Sequence, residues 1–218
     1  MRKETGQKRV RIYLGGEVVA DTTAPVLVWE KPYYPTYYFP AADVRRDLLV
    51  PDGDGGTFTV KAGGKEAPGA ARQEDEVVRF DWDAMDAWFE EDEEVFTHPR
   101  DPHSRVDILA SSRHVRVEVD GETVAESTSP RLLFETGLPV RYYLPQPHVR
   151  MGLLEPTNTV THCPYKGQAQ YWSVRTASGV HTDLAWSYRA PLPESQKIAG
   201  LVAFYDDKVD LYVDGVKQ

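Results

Sequence analysis

The densest run of potentially reactive side chains in the sequence is Thr161-His162-Cys163-Pro164-Tyr165-Lys166-Gly167. Cys163 is the one cysteine of the chain. A thiolate is a strong nucleophile at neutral pH once its reference pKa of ~8.5 is lowered, and His162 and Lys166 are cations near enough in sequence to lower it. Pro164 and Gly167 would hold the loop in a fixed turn. The opposite reading is a packed or pocket-lining thiol, because free cysteines are commonly buried as small hydrophobes. Lys166 can hold an anionic group as a point charge, act as an amine nucleophile if desolvated, or stand as a surface lysine. Tyr165 either donates a hydrogen bond to a ligand or caps a strand edge.

A second constellation is aromatic: Tyr142, Tyr143, Tyr171, Trp172 and Trp186. Gathered in a concave β surface, such rings cage a flat or cationic ligand. Buried instead, they would build the core of a small domain, as is expected of Trp29, Trp82 and Trp88. Arg45 and Arg150 each follow a short polar turn; they are read as structural, pairing with Asp21 or Glu126, or as pocket arginines. Asp52-Gly53-Asp54 sits in a glycine-rich stretch and reads as a turn. The histidines at 98, 103, 114, 148, 162 and 181 show no ligand spacing, so neither a metal nor a cofactor is expected.

These residues need elements to position them, and the patterns are those of short strands. Val10–Leu14 alternates, Gly15-Gly16 makes a two-residue turn, and Glu17–Ala20 returns. Asp120-Gly121 does the same between Val115–Val119 and Glu122–Ala125. Further strands are expected at Val26–Trp29, Thr36–Phe39, Leu132–Glu135, Arg141–Leu144, Tyr171–Arg175 and Val209–Val213. Pro193 to Val202 reads as the one helix, with proline in its first turn. Sixteen prolines and sixteen glycines punctuate the rest, so the fold class is mainly β.

Shifted by 105 positions, the chain matches itself for about forty residues. Gly16-Glu17-Val18-Val19-Ala20-Asp21 falls on Gly121-Glu122-Thr123-Val124-Ala125-Glu126, and Tyr37-Tyr38 on Tyr142-Tyr143. Beyond Pro51 the register slips: Thr59-Val60-Lys61 meets Ser173-Val174-Arg175, and Met85-Asp86-Ala87-Trp88 meets Val209-Asp210-Leu211-Tyr212. The reading is a tandem of one domain: a first copy over 8–95, a connector over 96–113 and a second copy over 114–218, packed as an intramolecular pseudo-dimer. The second copy carries two insertions of about nine and ten residues, one holding the Cys163 loop and one around Pro191 to Gly200. Phe58 stands where the second copy has Trp172, and Arg72 near the place of Trp186, which leaves the first copy degenerate and the second with a single working pocket.

Formal charge is −9, from 34 acidic residues against 25 lysines and arginines. That balance argues against nucleic acid and against an anionic membrane surface, both of which need clustered basic side chains. No run approaches the ~18 apolar residues of a membrane span. Met1 to Arg11 is polar, without the apolar core of a signal peptide, and a single cysteine suits the reducing cytoplasm. The run Glu74 to Glu94, rich in acids, reads as a solvated face.

Three groups of motifs carry a resemblance. They are Gly15-Gly16-Glu17-Val18-Val19-Ala20-Asp21 with Trp29 to Pro40; Thr161 to Gly167 with Gln170-Tyr171-Trp172-Ser173-Val174; and Ala185-Trp186-Ser187-Tyr188 with Ile198 to Tyr205. Together they resemble the bacterial domain-of-unknown-function family 427, over nearly all of the second copy and the first half of the first. The resemblance implies a twisted, tent-like β fold similar to the Mss4 and methionine sulfoxide reductase B domains. The zinc-binding relatives of that fold use paired Cys-x-x-Cys motifs, which this chain lacks. The family is sometimes labelled nucleotidyltransferase, but such enzymes need closely spaced carboxylates after a Gly-Ser turn, and Asp52-Gly53-Asp54 lacks that context. The functional expectation is a small-molecule-binding domain or enzyme, its partner an unidentified small molecule. Cys163 and Lys166 are the catalytic candidates, and Tyr165, Trp172, Trp186, Tyr142 and Arg150 the ligand contacts. The alternative is a non-catalytic interaction protein that docks a partner on the aromatic, proline-rich segment 31–40.

Overall fold

A computed structural model of the chain describes residues 2–53 and 55–218, so Asp54 of the expected Asp52-Gly53-Asp54 turn lies outside the described residues. Asp52 accepts hydrogen bonds from the Thr59 hydroxyl at 2.8 Å and the Gly69 amide at 3.1 Å. The fold is mainly β, built of antiparallel sheets in two compact units, Met1–Pro102 and His103–Gln218.

In the first unit a seven-stranded sheet runs in the order Lys3–Thr5, Val26–Val28, Thr36–Pro40, Val77–Phe80, Lys65–Glu74, Thr57–Ala62, Leu49–Pro51. A four-stranded sheet runs Glu93–Val95, Ala87–Glu90, Val10–Leu14, Glu17–Thr22. Strict alternation in Val10–Leu14 sends Val10, Ile12 and Leu14 inward, as period-two patterning requires. They meet Val19, Phe39, Phe80 and Trp88 in one core. Trp29 and Trp82, expected in that core, pack against it only partly buried.

The second unit divides similar strands among three sheets: Val106–Ala110 with Arg131–Glu135 and Arg141–Tyr143; Glu122–Ser127 with Val115–Val119, Asp210–Val213 and Val216–Lys217; and Leu154–Cys163, Gly167–Thr176, Gly179–Ser187 and Val202–Phe204. A single bridge, Leu144 to Val202, joins the first and third of these. Val106–Ala110 falls inside the stretch 96–113 read as a connector, and it pairs fully with Arg131–Glu135.

Several details recur at matching positions. The Gly15-Gly16 turn has φ of 59° and 78°, and Asp120-Gly121 has 53° and 77°, the left-handed pair that two-residue hairpins demand. A bulge follows Ile12 in one unit and Val117 in the other. At the chain's end the strand pairing amends the sequence register by one residue. Trp88 pairs with Ile12 and Leu211 with Val117, so Trp88 corresponds to Leu211, both buried, and Phe89 to Tyr212. Those two outer rings each receive an arginine, Arg11 at 5.5 Å and Arg116 at 4.6 Å.

The expected helix is a correction. Pro193–Ile198 forms a six-residue 3₁₀ turn, and Val202 already begins a strand. Gly200, at φ +69°, reverses the chain between them. Six further 3₁₀ turns occur among the described residues, in both units rather than the second alone.

Candidate functional site

Leu154–Cys163 and Gly167–Thr176 form a hairpin whose last pair is Cys163 with Gly167, so Pro164-Tyr165-Lys166 is its tip. The Lys166 amide donates to the Cys163 carbonyl at 3.3 Å, and Gly167 adopts φ +91°, a value that favours glycine. The tip is held by the second insertion. Leu192 N–H donates to the Lys166 carbonyl at 3.2 Å, and the Ser195 hydroxyl to the Tyr165 carbonyl at 3.0 Å. The two stretches that lengthen the second half of the sequence are therefore bonded to one another.

Beneath that tip lies a core separate from the unit's main one. It gathers Ile108, Leu133, Tyr143, Tyr171, Trp186 and Tyr188, with Cys163 half-buried against them. Lys166 is 8% exposed. Its ammonium meets the Glu135 carboxylate at 2.5 Å, with both side chains about nine-tenths out of solvent, so the pair is desolvated and each charge depends on the other. Trp186 donates its Nε1–H to the Tyr143 hydroxyl at 3.2 Å, and its ring lies 4.6 Å from that of Tyr205. Thr161 and Tyr171 hydroxyls pair at 2.9 Å.

Burial holds the Tyr143 and Tyr188 phenols well above the usual tyrosine range, and the neighbouring Cys163 and Glu135 push both the same way. They are neutral hydroxyls at neutral pH, fit to donate a hydrogen bond rather than to take a proton. Burial and the Tyr171 hydroxyl lift Tyr205 to about 12. Tyr188 is 5% exposed, and its hydroxyl has no hydrogen-bond partner among the described residues. With no partner among those residues, that hydroxyl is free to donate to a bound group.

Of the residues singled out by sequence, Cys163, Lys166 and Trp186 share this corner, with Tyr165 half-buried at its tip and His162 exposed beside it. Trp172 does not join them. Tyr171 pairs with Trp186 and Trp172 with Ala185. Adjacent residues of a strand face opposite ways, so Trp172 falls in the unit's main core. Tyr142 packs half-buried against that same core. Arg150 is exposed and binds Glu122 at 2.6 Å. Arg45 binds Asp47; the partners named from sequence, Asp21 and Glu126, are taken by Arg9 and His114. Tyr143 and Tyr171, both in the aromatic constellation read from the sequence, do join it; Glu135 and Tyr188 complete the corner and were not marked for it by spacing, since each reaches it from a different strand end. The hint for Tyr188 was the aromatic content of Ala185-Trp186-Ser187-Tyr188.

In the first unit the pairing of Ala71 with Phe80 and Arg72 with Arg79 repeats that of Ala185 with Phe204 and Trp186 with Ala203. Arg72 stands where the second unit has Trp186, and Arg79 where it has Ala203. The corresponding face of the first unit is thus charged.

Residues 2–63 and 107–215 match the family described as a domain of unknown function, DUF427. The chain belongs to the DUF427 family. No curated protein matches it. The second DUF427 segment spans the whole corner from Glu135 to Tyr205, and residues 64–106, outside both segments, hold Trp82, Trp88 and His98.

Proposed function

We propose that this DUF427 protein binds a small molecule at the corner of the second unit, between Cys163, the Lys166–Glu135 pair and the Tyr143 and Tyr188 hydroxyls. One observation carries the reading: the Tyr188 hydroxyl, on a residue 5% exposed, makes no hydrogen bond among the described residues and lies within electrostatic reach of Cys163 and Glu135. A bound polar group can accept the hydrogen bond that this hydroxyl has to give. Cys163 is the group positioned to react if the ligand is transformed, with Lys166 balanced by Glu135 as a source of positive charge. The one cysteine, kept as a thiol, supports residence in the cytoplasm. The self-match of the sequence and the recurring turns and bulges support an ancestral duplication, after which one half kept this corner.

Native mass spectrometry of protein purified from its own host tests the proposal. A co-purifying small molecule is expected on the parent chain, and less of it on Cys163→Ser and Tyr188→Phe, which preserve shape. A parent that carries no ligand, or one retained equally by both variants, overturns it. The docking alternative has less support: of the five aromatic residues in segment 31–40, Tyr37, Tyr38 and Phe39 are buried and Tyr34 stacks on His98, leaving Tyr33 exposed.

A further inference from the structure

A cleft of about 690 Å³ opens in the first unit, a volume typical of small-ligand sites. Its lining is aromatic and acidic. The Trp82 and Trp88 rings stack at 4.4 Å, 8° from parallel. Trp88 is buried and donates its Nε1–H to the Trp82 carbonyl at 3.0 Å, which fixes the pair. Tyr34 and His98, stacked at 3.7 Å, line the cleft as well. Phe96 belongs to the lining and is 63% exposed, which adds apolar surface at the mouth of the cleft.

The charges are unequal. Glu30, Asp81 and Asp83 face Lys31 and Arg79 within the lining, inside a chain of net charge −9. Arg79 is held by Glu30 at 2.9 Å and by Asp81, so its guanidinium is matched by two carboxylates. Asp83 is exposed and forms no ion pair among the described residues. An anion entering here meets a net negative wall. A cation meets carboxylates and the electron-rich faces of aromatic rings, the combination that recognises organic ammonium groups.

We propose that the first unit carries a ligand site of its own, specific for a small organic cation bearing an apolar or flat group. It is independent of the corner in the second unit. The apolar part covers Phe96 and Trp82, and the cationic head lies toward Asp83.

The test uses one ring with three charges: benzyltrimethylammonium, benzyl alcohol and phenylacetate. Each is titrated into the full chain while the tryptophan indole N–H signals are followed by NMR. The ammonium is expected to bind about tenfold more tightly than the alcohol, phenylacetate not to bind, and the Trp82 and Trp88 signals to shift. Asp83→Asn and Phe96→Ala, both exposed positions, are each expected to weaken the ammonium several-fold, whereas Tyr188→Phe leaves it unchanged. Equal binding of alcohol and ammonium, shifts centred on Trp172 or Trp186, an Asp83→Asn variant that binds like the parent, or no binding by any probe overturns the proposal.

Discussion

Glu135 holds the charge of Lys166 in a place water scarcely reaches. Glu135→Gln would strand that ammonium, and the expected loss of stability is about 3 kcal/mol by urea unfolding. The double variant Glu135→Leu with Lys166→Met is expected to recover most of it, because an apolar pair carries no desolvation penalty; a single variant as stable as the parent would show the pair to be inert. His98 supplies a second test. Burial lowers its pKa below the ordinary 6.5. The unfolded chain therefore takes up this proton at a higher pH than the folded one, so the associated stability is complete above about 6.5 and falls as the pH drops below that value. Imidazole NMR is expected to give a midpoint under 6.5, and His98→Phe to flatten the acid side of the stability curve. At this scale the sequence was half legible. Cys163 and Lys166 could be paired because one short turn joins them. Glu135 and Tyr188 could not, since their approach depends on how separate strands fold together. The cleft was hidden for the same reason: Tyr34, Trp82 and His98 come together only in three dimensions.

Strands and their turns were the most readable elements, because alternation and left-handed glycine turns are local signals. Where a strand broke those rules, it was missed. Lys65–Glu74 contains Pro68 and Gly69 and pairs with Thr57–Ala62 through a shifted register, the usual company of such residues inside a sheet. The Trp172 and Trp186 error is also one of elements: the two indoles lie on neighbouring strands but in adjacent rather than equal phase, and phase decides the face. Turn geometry makes a sharper prediction at Gly63 and Gly64, both at positive φ. A Cβ at Gly63 would lie 1.8 Å from the Gly15 carbonyl oxygen, while one at Gly64 meets nothing within 4 Å. Gly64→Ala is expected to cost about 1 kcal/mol from backbone strain alone. Gly63→Ala is expected to cost more, since two turns must separate. Chemical denaturation of the two variants side by side checks the order, and an equal loss would show that the turns yield freely.

Each unit of the whole molecule closes its own hydrophobic core, Phe39, Phe80 and Trp88 in one and Val117, Trp172 and Leu211 in the other. Residues 103–218 expressed alone are therefore expected to show a β-type circular dichroism spectrum and one cooperative melting transition. A spectrum of unfolded chain would mean that the second unit borrows its stability from the first. The buried lysine offers a way to watch that unit while the chain is intact. Acetylating reagents that act on free amines will modify exposed lysines within minutes but reach Lys166 only when the hairpin tip lifts from Leu192 and Ser195 and the ammonium leaves Glu135. The rate at which its peptide gains an acetyl group, read against the exposed lysines, becomes a clock for how often this one corner opens.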